Sequence, residues 1–134
     1  MAGSTTPVAR QLVWVFLAGG TGATLRVVLA ALIDERWSAR LPFVGTLVVN
    51  MLGCLLIGVA AAWMPAGTAR TAIVGGLLGG LTTYSAFALF SVELLRDDKV
   101  AMLGLQVGTH VILGMLCVWA GLVLGRALGH EAVP

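Results

Sequence analysis

The residues of this chain with the most chemistry to offer form the run Gly79-Gly80-Leu81-Thr82-Thr83-Tyr84-Ser85, two adjacent glycines and then hydroxyl side chains, set inside a long apolar stretch. Glycine weakens a helix interior. Unsatisfied backbone in hydrocarbon is so unfavourable that irregular chain persists there only where it is buried in protein or lines a polar cavity. Unwound carbonyls at such a point can hold a cation, and exposed amides can hold an anion. A glycine kink packed on a neighbouring helix is the competing reading.

Other polar residues lie at similar depth. Asn50, midway along a second apolar stretch, brings two amide donors and one acceptor, suited either to an interhelical hydrogen bond or to a ligand. Gln106 and His110 are four apart, which places them on one helical face as a polar stripe. Arg26 can snorkel to the nearer interface or offer a positive charge at a water-filled vestibule. Glu93, near the end of its stretch, reads as solvated. His110 has no nucleophile at readable spacing, and paired carboxylates and metal-ligand clusters are missing from the sequence, so an enzyme is not expected. Cys54 and Cys117 read as packing residues rather than a disulfide or metal pair.

These groups must be positioned by membrane helices. A chain of 134 residues that is 59% hydrophobic and 10% charged carries more apolar surface than one soluble core of this size can bury. Four apolar stretches are long enough to cross a bilayer, at about 11–33, 43–64, 70–95 and 101–125. The first runs on past Arg26 to Ile33, which reads as a span rather than a cleaved signal. Residues 1–9 read as a frayed polar tail. The whole chain, 1–134, is expected to be one transmembrane domain. Small-xxx-small pairs (Gly19 and Ala23, Gly75 and Gly79, Gly76 and Gly80, Gly104 and Gly108, Gly121 and Gly125) suit close helix packing in lipid.

The basic residues are scattered among helix ends, which points to lipid headgroups and away from nucleic acid. One face of the membrane would carry Arg10, Arg70 and Arg126, and the other Arg36, Arg40, Arg96 and Lys99. Three against four gives the insertion machinery almost no preference. The expectation is therefore dual topology, with two oppositely oriented copies pairing about an axis in the membrane plane.

Arg26 within Gly19-Gly20-Thr21-Gly22-Ala23-Thr24-Leu25-Arg26, Asn50 within Gly45-Thr46-Leu47-Val48-Val49-Asn50-Met51-Leu52-Gly53, and the run from Gly79 to Phe87 together resemble the Fluc (CrcB) fluoride channels. The resemblance implies an all-α, multi-pass protein of the inner (plasma) membrane, its third helix broken near the middle. It further implies an antiparallel homodimer with two fluoride pores, a central structural sodium ion and export of fluoride from the cytoplasm. By position, the carbonyls of Gly79 and Thr82 from both subunits would hold the sodium. Tyr84 and Phe87 would be the pore aromatics, Asn50 the pore amide, and Gln106 and His110 a polar track. The sequence departs from the family pattern at Tyr84 (commonly Phe), Ala86 (Ser or Thr), Phe90 (often acidic), Gln106 (often Tyr) and His110 (often Ser).

The chemistry fits a small, strongly hydrated anion, which needs close donors in a narrow space. The Asn50 amide, the Thr83 and Ser85 hydroxyls and the positive edges of aromatic rings supply them, with Arg26 as an attractor at the mouth. The runner-up is a dual-topology exporter of the small multidrug resistance type. Such exporters carry a glutamate deep in the first helix, where this chain has only Arg26.

Overall fold

The computed structural model describes residues 5–130. Those residues are helical throughout their secondary structure: α1 (Thr5–Trp37), α2 (Val44–Trp63), α3 (Thr68–Thr71), a π-helical stretch (Ala72–Leu78), α4 (Gly79–Leu81), α5 (Tyr84–Arg96) and α6 (Val100–His130). They form four helical spans long and apolar enough to cross a membrane: Val8–Trp37, Val44–Trp63, Thr68–Arg96 and Val100–Gly129.

The first and last spans run beyond their apolar stretches because nothing in the flanking sequence stops a helix. Asp34, Glu35 and Arg36 extend α1 without leaving it. Its start at Thr5 corrects the expected tail, since residues 5–9 are helical and residues 1–4 lie outside the described residues. Thr5, Thr6 and Pro7 suit a first helical turn, where proline's missing N–H has no intrahelical partner to lose. The α2 helix starts just after Pro42 and stops at Met64, the residue before Pro65, as proline's steric demand on its predecessor requires. A carboxylate from the last turns of α1 secures its start: Asp34 Oδ1 accepts from the Gly45 N–H at 2.8 Å. Between α5 and α6 the chain reverses in a tight turn, with Asp98 at φ 54°. Beside it, the exposed Lys99 Nζ lies 2.9 Å from Asp97 Oδ2, which lowers the Asp97 pKa.

Glycine decides how closely the spans approach. The most extensive packing joins α2 to α6. There a methyl at Gly125 would meet the Val59 carbonyl oxygen at 2.6 Å, and one at Gly58 would meet the Gly121 Cα at 3.0 Å. On the other side of the third span, a methyl at Gly22 would run into the Leu77 carbonyl and reach Leu81 N at 2.9 Å. Gly76 and Gly80 face Val15 and Gly19 in the same seam. Not every expected pair packs: added methyls at Gly75, Gly104 and Gly108 meet nothing within 4 Å. Gly22→Ala is therefore expected to destabilise the protein by about 1–3 kcal/mol, the usual effect of overpacking. Thermal unfolding in detergent reads it, with Gly104→Ala as the near-neutral control.

The third span has a form of its own. It keeps its direction, its two halves bent by 22°. Helical pairing lapses over two residues only, Thr82 (φ −84°, ψ 157°) and Thr83 (φ −147°, ψ 113°), both extended.

Candidate functional site

Two extended residues inside a span release backbone groups, and the structure shows where most of them go. The Thr83 N–H donates to Asn50 Oδ1 at 2.8 Å, and Asn50 Nδ2 donates to the Thr83 carbonyl at 3.1 Å. Asn50 thus pairs with both backbone groups of one residue, as a neighbouring strand would. Thr83 also caps α5, its Oγ1 accepting from the Ala86 N–H at 3.2 Å and sharing a hydrogen bond with Ser85 Oγ at 3.2 Å. From the other side, Arg26 Nε donates to the Gly80 carbonyl at 3.2 Å.

Carbonyls are released as well, those of Gly79 and Thr82 among them. In an unbroken helix the Gly79 and Thr82 oxygens would accept from Thr83 and Ala86, four residues on. Both of those N–H groups are taken, by Asn50 Oδ1 and Thr83 Oγ1. The donor set is carbonyl oxygen, the chemistry of a hard cation. Gly53 makes room for the extended pair, since a methyl there would collide with the Thr82 side chain.

Asn50, Thr82, Thr83, Tyr84, Phe87 and His110 converge on one open groove of about 380 Å³ between α2, α5 and α6. The first turn of α5 forms part of its wall, so the positive end of a helix dipole lies beside the groove. The rings of Tyr84 and Phe87 are 5.7 Å apart, and those of Phe87 and His110 4.8 Å apart. Tyr84 is 79% exposed at the middle of a span, so its ring lies on the outer surface of the subunit.

Gln106 is placed differently. It is fully buried, and its Nε2 donates to the Phe87 carbonyl at 3.0 Å, which sets it behind the groove as a support for α5. Arg26 reaches the Gly80 carbonyl from the α1 side and is not among the residues that line the groove. Among the described residues there is no cluster of three His, Cys, Asp or Glu side chains able to hold a metal ion.

One residue lining the groove and one packed behind its His110 are not legible as site residues from the sequence pattern alone. Cys54 falls one helical turn after Asn50, and that spacing puts it on the same face. Phe43, only 1% exposed, packs on the His110 ring at 6.2 Å between centroids. Its place just after Pro42, at the entry to α2, is the signal that it could be anchored. Glu93 is exposed and borders a small cavity of about 110 Å³ with Phe43, Phe90 and Lys99, apart from the groove.

Comparison with known proteins gives this arrangement a family. The chain matches the CrcB-like protein, camphor resistance (CrcB) family over residues 13–122. It is 37% identical over 124 residues to the fluoride-specific ion channel FluC of Geobacter sp. (strain M21), spanning 88% of this chain and 98% of that one. The protein of the same name from Stutzerimonas stutzeri is 39% identical over 113 residues, 81% of this chain and 90% of its own. That of Aquifex aeolicus is 37% identical over 120 residues, 85% and 95% respectively. A match from within the first span to near the end of the fourth takes in every element that builds the groove, and the chain therefore belongs to the CrcB family of multi-pass membrane proteins.

Proposed function

We propose that this protein is a fluoride-selective channel subunit that exports fluoride from the cytoplasm across the inner (plasma) membrane and so relieves fluoride toxicity. The observation that carries the reading is the groove in which the amide of Asn50, the capped first turn of α5 and the edges of Tyr84 and Phe87 converge. An anion moving through it exchanges water for N–H, O–H and ring-edge contacts, as a selectivity filter requires. No fixed lysine lies in the spans to trap it. The relatives' printed name supports fluoride as the anion.

The working unit in this reading is an antiparallel homodimer with two pores. The near-equal basic charge on the two faces supports it, as does an aromatic left 79% exposed at mid-span. Cysteine labelling of each terminus in intact cells is expected to find both termini on both sides. A single orientation would reject the dimer.

The carbonyls of Gly79 and Thr82 fit a structural sodium ion, and two copies would bring four such oxygens to a shared axis. A bound sodium supplies positive charge to groups that otherwise stay unpaired in hydrocarbon. Complete replacement of sodium by a large organic cation is expected to weaken dimerisation and transport together. Unchanged behaviour in both would remove the site.

Fluoride efflux from liposomes containing only the purified protein, set against chloride, tests the reading as a whole. Fluoride is expected to leave and chloride to stay; equal rates, or no fluoride release from folded protein, would overturn it.

A further inference from the structure

Among the described residues two buried side-chain polar atoms have no hydrogen-bond partner, and both belong to α6: Gln106 Oε1 and His110 Nε2. The second has a defined chemical state. His110 Nδ1 lies 2.9 Å from the Gln106 carbonyl oxygen, which can only accept, so Nδ1 carries the proton. In the neutral ring Nε2 is then a bare acceptor, the wrong polarity for an anion; protonation turns the same atom into a cationic donor.

His110 lines the groove and also the adjoining cavity bounded by Cys54, Val111 and Gly114. Its ring packs against Phe87 and Phe43, whose side chains offer it no hydrogen-bond partner. An imidazolium alone there is an unpaired charge in an apolar setting, and an anion alone meets a lone pair. Each relieves the other. The remaining titratable groups lining the two cavities are Cys54 from α2 and Tyr84 from α5; the lining contains no carboxylate, lysine or arginine, and Arg26 of α1 is engaged at Gly80. Thiols and phenols ionise at higher pH than imidazole. Imidazole is the one side-chain type in the lining whose unperturbed pKa falls between about pH 5 and 8.

Resting on the fluoride reading above, we propose that His110 binds the anion only in its protonated form, so that a proton and a fluoride ion are taken up together at this point of the groove. The linkage is reciprocal: fluoride tightens proton binding at His110 by the same factor that protonation tightens fluoride binding.

Fluoride currents in voltage-clamped planar bilayers with fluoride on both sides test this, because neutral hydrogen fluoride leaking through lipid carries no charge. As pH falls from about 8 to 5, the half-saturating fluoride concentration of the unaltered protein is expected to fall, by at most about tenfold per pH unit, the limit for one proton per anion. His110→Ser and His110→Asn are expected to lose that slope. A flat profile in the unaltered protein, or a slope that survives either substitution, would overturn the proposal. No fluoride current at any pH from folded protein would remove the channel reading and this proposal with it, whereas a pH-independent current sinks this proposal alone. Should both variants fail to fold, imidazole NMR titration of the His130→Ala protein decides, His110 then being the one histidine left in the chain. Fluoride, but not chloride, is expected to raise its midpoint; a midpoint indifferent to fluoride would overturn the proposal.

Discussion

Asn50→Asp is expected to reduce fluoride flux by more than a hundredfold. The substitution is nearly isosteric, and one oxygen can still accept from the Thr83 N–H as Oδ1 does now at 2.8 Å. What changes is the other contact. Nδ2 donates to the Thr83 carbonyl at 3.1 Å, and the carboxylate would set an anionic oxygen against that carbonyl oxygen. Holding an acidic side chain at the centre of a membrane helix is unfavourable by about 2.5–3.5 kcal/mol, which corresponds to roughly 60- to 300-fold in an equilibrium constant. A negative charge lining the groove also repels the entering anion in a low-dielectric setting. Liposome efflux measures the flux, and size-exclusion chromatography shows whether the protein is still folded. Asn50→Asp with near-normal flux would mean that neither the Thr83 pairing nor the polarity of the groove matters to conduction.

The same pairing shows what sequence reasoning could and could not reach. Four long apolar stretches with charge confined between them leave little choice of architecture, because only closed helical hydrogen bonding suits hydrocarbon. Two glycines followed by threonines mark the place where that bonding would lapse, and Asn50 stands out as a polar side chain at matching depth. Local rules cannot tell that the two meet. Asn50 and Thr83 are 33 residues apart, and their contact depends on how α2 packs beside the third span. The sequence equally suggests a wider interruption, whereas two extended residues are enough: Asn50 replaces the missing helical partner of the Thr83 N–H, and the Thr83 hydroxyl caps α5.

Small-residue spacing is legible as packing without revealing which pairs pack. Gly76 and Gly80 face α1, and Gly121 and Gly125 face α2, while Gly104 and Gly108 repeat the spacing on an open face of α6. The i, i+4 rule puts Gln106 and His110 on one stripe, yet they part in surroundings. Gln106 turns inward to the Phe87 carbonyl, and His110 meets the groove. A helix face broad enough to hold both can present one to a neighbouring helix and the other to a cavity. Periodicity fixes the face and cannot fix the neighbour.

Phe87→Ile is expected to lower fluoride flux by tenfold or more while the protein stays folded. Phe87 is central to the ring cluster, 4.8 Å from His110 and 5.7 Å from Tyr84, so its edge is shared between the groove and two neighbours. Isoleucine fills comparable space without a positive ring edge, and it removes both aromatic contacts, each worth about 0.5–1.5 kcal/mol beyond simple burial. The backbone should hold, because what fixes it here is main-chain bonding: the Phe87 carbonyl accepts from Gln106 Nε2 at 3.0 Å and from Ser91 Oγ at 2.8 Å, whatever the side chain. Losing flux without losing fold therefore isolates the ring. Tyr84→Phe is the matched control. It removes one hydroxyl from a side chain 79% exposed in the single subunit and keeps the ring, so flux is expected to remain within a few-fold of normal. The pair separates two roles for aromatics at mid-membrane. If ring edges replace fluoride's hydration, the isoleucine variant fails and the phenylalanine variant conducts; if the rings only fill space, both conduct.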